Sequence, residues 1–380
     1  MNHNPVILQV LPTLEMGGVE RGTIEIASAL QQAGIQNYVV SAGGPMVREL
    51  TKLGVEHITL PVHKKNPFVI WRNIGRLAQI IRDKKITLVH VRSRAPAWVV
   101  KYASRITGIP FIATYHGVYG IKPAWLKKPY NRVMTQGKRV IAVSDFVKQH
   151  IMTHYNVPEN QIVTIYRGAD IRRFNPDRVV LERITELLQS YQIPPEKPVI
   201  TLVGRLTKIK GHAILLAALS RMRHKDITCL FVGSDQGRVD YVAELKEQIK
   251  TLAPQTSVLM VKSCSDMPAL YLMSDIIVNA SIVPESFGRT VTEAQAMGRI
   301  VVASAHGGAC ETIQDGKTGF LVPPENVDAL AQCLDKVLDM SVDERQKIQV
   351  AGISSVRERF SVQSMCAQTI ELYKKVSLWL

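Results

Sequence analysis

The sequence predicts an α/β protein with two domains, each built from short buried strands that alternate with helices. At 380 residues the chain is longer than a typical single hydrophobic core supports. Apolar runs of four to six residues, such as Val199–Val203 and Ile300–Ser304, are each followed by a loop and a segment of helical pattern. A polar segment at 177–198 ends in a proline-rich linker and interrupts this alternation. We therefore predict a domain boundary near 176–196, with the first domain ending at 176.

The positive charge of the chain is confined to its first half. Residues 1–176 contain 24 Lys and Arg against 9 Asp and Glu, whereas residues 177–380 contain 23 of each. This asymmetry indicates that the first domain meets an anionic partner, or that it has drifted basic without function.

Composition favours a globular protein in a reducing compartment. The mean hydropathy is +0.04, and the apolar run Val6–Leu14 is too short to span a membrane and lacks a basic leader. The five cysteines are scattered, without a CxxC pair, which predicts reduced thiols. We expect a cytoplasmic location.

The stretch from Ile276 to Ile313 has the order strand, loop, helix, strand that presents backbone N–H groups to an anion. A strand over Ile276–Ala280 leads to a loop, a helix is expected from about Thr290 to Met297, and a second strand covers Ile300–Ser304. Glu285 and Glu293 bracket the helix start, where ligands bind in open α/β sheets. Alternatively, Glu285 is solvated and Glu293 only favours the helix terminus.

A second cluster follows the strand Val199–Val203. Gly204 allows close approach of a ligand, and Arg205 and Lys210 are five residues apart at the strand tip. Two such cations grip a diphosphate, Arg205 as a fork and Lys210 as a point charge. A solvated basic loop is the alternative.

Polar residues also follow three strands of the first domain. Gly17 and Gly18 come after the strand Val6–Leu11, without a GxGxxG fingerprint, and His116 ends the strand Pro110–Tyr115. Arg92 and Arg94 follow Ile86–Val91 and would hold an acidic acceptor group. A tight turn, a structural histidine and a solvated face are the respective alternatives.

These motifs together resemble the retaining nucleotide-sugar glycosyltransferases of family 4. The resemblance lies in Glu285 and Glu293 with seven residues between them, in Gly-Arg-x4-Lys-Gly at 204–211 and in Thr-x-His-Gly at 114–117. It implies a GT-B fold, in which two Rossmann-like lobes face each other across a cleft. The expected domains are an acceptor-binding domain at 1–176, a nucleotide-sugar-binding domain at 177–358, and a helix at 359–380 that crosses back to the first domain.

The resemblance also implies roles for the candidate residues. Glu285 would accept hydrogen bonds from the donor sugar and Glu293 from the ribose. The expected catalytic residues are Glu285, Arg205, Lys210 and His116; the expected donor-binding residues are Gly17, Gly18, Gly204, Phe287, Gly288, Arg289, Thr290 and Glu293; the expected acceptor-binding residues are Arg92 and Arg94. Arg167 stands where the family has Asn, so the role of that Asn is not carried over.

The reaction that the resemblance implies is a transfer with retention of configuration from a UDP- or GDP-linked sugar. No metal or other cofactor is expected, because the chain contains no Asp-x-Asp and no visible metal cluster. The residues around Arg92–Trp98 and Arg289 are similar to those of the bacterial envelope enzymes that build lipopolysaccharide, which implies an anionic glycolipid or saccharide acceptor. Aromatic and basic residues interleave over Lys122–Arg132, a composition that suits peripheral contact with the inner membrane surface and also single-stranded nucleic acid. An ordinary exposed loop is the alternative.

Three other interpretations stay open at the level of sequence. The first is another GT-B enzyme, such as an epimerase or a soluble sucrose or glycogen synthase. The second is a nucleic-acid-binding protein, which the pI of 9.6 suggests but no RNP-like, helix-turn-helix or zinc pattern supports. The third is a non-catalytic module that binds sugar nucleotides or lipid. We expect no nucleic-acid partner.

Overall fold

The computed structural model describes residues 5–15, 17–119 and 124–377 and divides the chain into two compact units. The first unit is drawn from residues 1–166 and 363–380, and the second comprises Arg167–Val362. Each unit contains one fully parallel sheet with its own hydrophobic core, as the sequence predicts.

The first unit contains seven strands in the order β3-β2-β1-β4-β5-β6-β7. Its strands are β1 (Ile7–Val10), β2 (Asn37–Ser41), β3 (Glu56–Thr59), β4 (Leu88–Val91), β5 (Phe111–Tyr115), β6 (Arg139–Ala142) and β7 (Ile162–Thr164). Its helices are α1 (Gly18–Gln32), α2 (Val47–Lys52), α3 (Pro67–Asp83), α4 (Arg94–Thr107), α5 (Ala124–Arg132) and α6 (Asp145–Tyr155).

The second unit contains six strands in the order β10-β9-β8-β11-β12-β13. After the helix α7 (Leu181–Ser190), its elements in chain order are β8 (Val199–Val203), α8 (His212–Arg221), β9 (Thr228–Val232), α9 (Val239–Ile249), β10 (Ser257–Val261), α10 (Met267–Met273), β11 (Ile276–Asn279), α11 (Arg289–Ala296), β12 (Ile300–Ser304), α12 (Ala309–Thr312), β13 (Phe320–Val322), α13 (Val327–Asp339) and α14 (Val342–Arg359). The last helix of the chain, α15 (Val362–Ser377), returns to the first unit.

Residues 167–175 belong to the second unit, so the boundary lies about ten residues before the one expected at 176. The backbone N–H of Ala169 donates to Phe360 O, and the N–H of Val362 donates to Ala169 O, both at 2.9 Å. Gly168 permits this pairing, because a Cβ there would lie 2.2 Å from the backbone carbon of Ser361. The sequence predicts the boundary at the residue where the excess of positive charge ends. In the structure, the hydrogen bonds between 167–169 and 360–362 hold residues 167–175 to the second unit.

The sequence leaves the segment 122–132 open as an exposed loop or an interfacial stretch. Lys122 lies outside the described residues, as does Met16 of the glycine loop at 15–20. Residues 124–132 form α5, which contains Pro129 and exposes most of the Trp125 side chain. Among the described helices, none combines the length and apolar character that crossing a bilayer requires.

Buried polar side chains attach α15 to the sheet of the first unit. The Tyr373 hydroxyl lies 2.5 Å from His90 Nδ1, and His90 Nε2 lies 2.7 Å from Thr114 Oγ1. Tyr373 also hydrogen-bonds Arg92, whose Nε and Nη2 donate to Gln9 Oε1 at 3.1 and 2.7 Å. This network satisfies polar groups that burial would otherwise leave without partners.

We predict that Tyr373→Phe destabilises the first unit. The substitution keeps the ring but removes the hydroxyl that contacts His90 and Arg92, which leaves buried polar groups unsatisfied and costs about 1–3 kcal/mol. Thermal unfolding of the variant should show a lower transition temperature than the wild type. Tyr102→Phe is the matched control, because Tyr102 lies at the surface; equal transition temperatures for both variants would contradict the prediction.

Candidate active site

The candidate site of the second unit lies where the strand order of its sheet reverses. β8 and β11 are parallel neighbours, with Ile200 opposite Ile276 and Thr201 opposite Ile277. Their carboxyl ends therefore meet at the same edge of the sheet, which is where open α/β sheets bind ligands. The loop that carries Gly204, Arg205 and Lys210 follows β8, and the loop that carries Glu285 follows β11.

Lys210 and Glu285 form an ion pair at this edge. Lys210 Nζ lies 2.5 Å from Glu285 Oε1, and both side chains are about four-fifths buried. The Ser281 hydroxyl donates to the same carboxylate oxygen at 2.6 Å, and Asn279 adds a further hydrogen bond. Burial by itself would raise the pKa of Glu285, but the charge of Lys210 and these hydrogen bonds outweigh burial and hold the pKa below its ordinary value. Glu285 is therefore a carboxylate at neutral pH.

A glycine allows the two loops to approach each other this closely. Gly211 has a φ of +74°, and a Cβ at this position would lie 1.9 Å from the carbonyl oxygen of Ala280. The neighbouring backbone N–H of Ile282 donates to Ile209 O at 3.0 Å. A side chain at 211 would separate the loops and with them the ion pair.

A third loop, which follows β12, supports the backbone on both sides of Glu285. The N–H of Gly308 donates to Glu285 O at 2.7 Å, and His306 Nε2 lies 2.7 Å from Ser281 O. Gly307 has a φ of +60°, and a Cβ there would lie 2.4 Å from Glu285 O. Gly307 and Gly308 thus support the backbone of the Glu285 loop.

The helix α11 begins beside this carboxylate. Gly288 precedes it with a φ of +86°, and a Cβ at Gly288 would lie 3.6 Å from Glu285 Oε2. Arg289 and Thr290, both partly exposed, form the first turn, where helix geometry directs backbone N–H groups out of the end of the helix. The resemblance assigns Phe287 to the donor, but its ring is buried and packs on Phe360 with centroids 5.8 Å apart.

Glu293 lies one turn further along α11. The buried Tyr271 hydroxyl donates to Glu293 Oε2 at 3.0 Å, and Arg289 Nε lies 3.6 Å from Glu293 Oε1. Burial and the negative charge of Glu293 raise the pKa of Tyr271 well above its ordinary range. Tyr271 therefore stays protonated and orients the carboxylate as a hydrogen-bond donor.

Arg205 lies on the surface of the β8 loop. Its guanidinium is exposed, with Nη1 3.5 Å from Gln236 Oε1, whereas Lys210 is held by Glu285. Gly204 precedes it, and a Cβ there would touch the Lys210 side chain at 3.3 Å. The loop thus offers the fixed cation Lys210 and the exposed cation Arg205 beside a helix N-terminus, which suits a ligand that carries several negative charges.

The candidates of the first unit lie after three strands of its own sheet. Gly17 caps the start of α1 in an extended conformation, and Gly18 opens the helix with open space around the position that a Cβ would take. His116 directly follows β5 and is partly exposed. Neither glycine has a positive φ. A Cβ at Gly17 would lie 2.4 Å from Glu20 Oε2, so only Gly18 leaves open space beside the backbone.

Arg92 and Arg94 differ in a way that the sequence does not indicate. Arg92 is buried, and its guanidinium contacts Gln9 and Tyr373 inside the first unit. The expectation that Arg92 presents its charge to an acceptor is therefore not supported by its position. Arg94 is partly exposed; it donates to Asn131 Oδ1 at 3.1 Å and lies 4.2 Å from the centre of the Tyr119 ring.

Sequence reasoning missed the residues that orient the two glutamates. Ser281, Tyr271 and His306 each contact one of them or its loop, yet none is among the predicted site residues. Ser281 could have been found as the polar residue just after a buried strand, and His306 as the polar neighbour of Gly307. Tyr271 gives no such signal, because its contact with Glu293 joins α10 to α11 and arises only in the fold.

Known proteins provide an independent comparison. The model of the family described as "Glycosyl transferases group 1" matches residues 183–354, and that of "Glycosyltransferase Family 4" matches residues 16–173. The crystal structure of a glycosyltransferase from Rickettsia africae ESF-5 is 42% identical, with a TM-score of 0.92 and 98% coverage of each chain. The chain belongs to the group 1 glycosyltransferases. It is an enzyme with the GT-B fold.

Two further proteins are similar to this chain at lower identity. Spore coat protein SA of Bacillus subtilis (strain 168) is 27% identical over 78% of this chain and 80% of its own length. The Anabaena protein Alr3699/HepE, crystallised with UDP and glucose, is 23% identical with a TM-score of 0.83, over 98% of this chain and all of its own. At 23% identity this match shows that the two chains share a fold.

We predict that Lys210→Met raises the pKa of Glu285. Because the native pKa lies below the ordinary value of 4.5, ionised Glu285 stabilises the fold above that pH and loses this contribution as the pH falls through the native pKa. Without Lys210, burial dominates and the carboxyl should protonate at higher pH. A carbon-13 NMR titration of the Glu285 carboxyl, assigned with Glu285→Gln, measures the shift.

Lys208→Met is the control for this titration. Lys208 lies on the same loop but is exposed and pairs with Glu244. It should leave the pKa of Glu285 unchanged. An equal pKa in the wild type and in Lys210→Met would show that Lys210 does not set the ionisation of Glu285.

Proposed function

We propose that this glycosyltransferase moves a hexose from a nucleoside-diphosphate sugar. The donor is UDP-linked or GDP-linked, and UDP is the preferred choice. The transfer retains the configuration of the sugar and needs no metal ion. The observation that carries the proposal is the buried Lys210–Glu285 pair at the switch point of the second sheet. The pair places a fixed cation and an ionised carboxylate beside the N-terminus of α11.

The donor is expected to occupy the loops around this pair. The Glu285 carboxylate accepts hydrogen bonds from the sugar hydroxyls, and Glu293, held by Tyr271, accepts them from the ribose. The choice of UDP rests on the HepE protein, which was crystallised with UDP and glucose. Glu293 recognises a ribose and does not read the base.

Leaving-group stabilisation is the main chemical demand. Breaking the bond between the sugar C1 and the phosphate oxygen releases a diphosphate, whose charge grows in the transition state. Arg205, Lys210 and the backbone N–H groups at 288–290 meet that charge, and each preorganised donor of this kind is typically worth ~3–4 kcal/mol. Protein cations supply the charge that a metal would otherwise supply, which is the reason for proposing independence from metal.

The anomeric configuration is retained because the acceptor attacks C1 on the same face of the sugar from which the diphosphate leaves. The acceptor oxygen bonds to C1 as the C1–phosphate bond breaks, and the acceptor's proton passes to the departing phosphate oxygen. No carboxylate nucleophile is needed. Glu285 is held by Lys210 and Ser281 as a hydrogen-bond acceptor, which is the role the mechanism gives it. By the same resemblance, His116 is proposed to contact the transferred sugar.

The acceptor is proposed to be an anionic glycolipid or saccharide of the bacterial envelope, as in lipopolysaccharide synthesis, met at the inner face of the cytoplasmic membrane. The support is the charge of the first domain, where 24 cationic residues stand against 9 acidic ones. Arg94, which is partly exposed, is the cation proposed for the acceptor, while the buried Arg92 is left in a structural role.

We predict that UDP stabilises the protein against heat more than GDP, ADP or CDP. A ligand at about 100 times its dissociation constant stabilises a protein by roughly 2.7 kcal/mol, which a thermal-shift assay detects. Glu293→Gln keeps a hydrogen-bonding side chain but loses the charge. This variant should need at least ten times more UDP to reach the same thermal shift as the wild type. Glu358→Gln on the exposed face of α14 should not.

The absence of a thermal shift with all four nucleotides would contradict the proposed donor site. A shift that persists unchanged in Glu293→Gln would instead remove the ribose role of this residue.

We predict that Glu285→Gln abolishes sugar transfer while the fold survives. Loss of the charge weakens the contacts to the sugar and leaves Lys210 without its partner, so the turnover number should fall about a hundredfold or more. Transfer from a labelled nucleotide sugar to a lipid extract of Gram-negative envelope measures the change. Substantial activity in the double variant Glu285→Gln/Lys210→Ala would contradict the catalytic roles proposed for Glu285 and Lys210.

The same assay tests the two finer parts of the proposal. Activity should survive exhaustive treatment with EDTA, and the product should keep the anomeric configuration of the donor, as read from its proton NMR coupling. Loss of activity restored by a divalent metal, or an inverted product, would overturn the corresponding part.

A further inference from the structure

The excess positive charge of the first unit is concentrated in one stretch of sequence. Between residues 57 and 144 the chain contains 17 Lys and Arg and a single acidic residue, Asp83. The helices α3, α4 and α5 all lie within this stretch. Their outer faces are therefore positive with almost no acidic side chain to offset them, which gives this part of the surface a strong affinity for anions.

Large apolar side chains stand exposed among these charges. In α3 the side chains of Phe68 and Trp71 are 67% and 71% exposed, and in α4 Ile106 is 54% exposed. The two helices pack side by side, so these residues share one outer face. A shallow groove of about 700 Å³ runs between the helices, lined by Trp71, Ile74, Tyr102 and Ile106 with Arg72, Arg76 and Arg105. We call Phe68, Trp71, Arg72, Arg76, Tyr102, Arg105 and Ile106 the α3–α4 surface.

Ring contacts continue this surface toward α5. Trp98 stacks on Tyr102 and on Tyr130, with ring centroids 6.4 and 6.3 Å apart. Lys101 Nζ lies 5.2 Å from the centre of the Trp98 ring, close to Arg105. At the end of the series Trp125 is 78% exposed. Aromatic rings and cations thus alternate across three helices.

We propose that the α3–α4 surface docks on an anionic lipid bilayer. Trp and Tyr rings favour the level of the lipid headgroups, Phe and Ile enter the acyl boundary, and Arg side chains pair with anionic headgroups. Exposed Phe68, Trp71 and Ile106 would lose contact with water on docking, and the cations around them require a negatively charged partner. A bilayer with anionic lipid meets both requirements over a wide, shallow surface.

Single-stranded nucleic acid fits the same surface less well. Its binding depends on open ring faces on which successive bases stack. The rings of Phe68 and Trp71 are tilted by 33° to each other with centroids 6.2 Å apart, so they do not form parallel platforms for successive bases, and Ile106 offers no ring. The observed mixture of aliphatic and aromatic side chains favours acyl chains over bases.

This surface specifies the membrane contact included in the proposed function, and it lies on helices to which the sequence motifs assign no role. Docking here would hold the first unit at the leaflet where a lipid-linked acceptor resides. The surface contains no residue of the Lys210–Glu285 loops, so lipid binding and donor binding are measured separately.

The test is sedimentation of the full chain with phosphatidylcholine vesicles, with and without about 30% phosphatidylglycerol. We expect binding only to the anionic vesicles, weakened strongly by added salt. Phe68→Ser/Trp71→Ser and Arg72→Glu/Arg76→Glu should each reduce partitioning about tenfold or more. The matched controls are Val342→Ser, an exposed apolar residue of α14, and Lys246→Glu/Lys347→Glu, an equal change of charge on the second unit.

Each result decides the proposal. Loss of binding in both α3–α4 variants, with binding kept in the controls and an unchanged thermal shift with UDP, supports it. Equal binding by variants and controls, no preference for anionic vesicles, or displacement from the vesicles by single-stranded DNA overturns it. Quenching of tryptophan fluorescence by brominated lipid, reduced in Trp71→Phe, provides a second reading that needs no charge change.

Discussion

The ion pair between Lys210 and Glu285 is the interaction on which the candidate site depends. It holds together loops that follow two different strands, and the third loop, after β12, contacts the backbone of Glu285 and Ser281. Removal of either partner would leave a largely buried charge without compensation, which is more destabilising than the pair itself is stabilising. The pair therefore constrains both the geometry of the loops and the ionisation of Glu285.

The glycines beside this pair follow from the same constraint. Gly211, Gly288 and Gly307 all have positive φ values, and a Cβ at Gly211 or Gly307 would collide with the backbone of the facing loop. Close approach of backbone to backbone lets two short side chains meet at the strand ends. A ligand that enters the site consequently meets a carboxylate and a cation that are already held in place, whereas Arg205 lies exposed on the neighbouring loop.

The two units use positive charge differently. In the second unit the cations Lys210 and Arg289 lie against carboxylates, so their charge is local and directed. In the first unit 17 cations lie in a stretch with one acid, and they accompany exposed rings on α3 and α4. Directed charge suits a small ligand bound in one orientation, whereas a diffuse basic face suits an extended anionic surface.

The sequence by itself determined the strand and helix alternation, the two sheets and the residues at the strand tips. The strands at Val199–Val203 and Ile300–Ser304 form where the sequence predicts them, since a buried parallel strand is a continuous apolar run. The three-residue strand Phe320–Val322 is not predicted, because so short a run has no distinctive period. Arg92 and Arg94 look alike as strand-end cations, and only packing decided that Gln9 and Tyr373 bury the first while the second stays partly exposed. Ser281, Tyr271 and His306 contact the glutamates or their loops through the fold, and the surface shared by α3 and α4 also arises there. Such contacts join residues that are far apart in the chain. The local sequence around one residue does not specify which distant side chain will pack against it, so these contacts are decided by the tertiary structure.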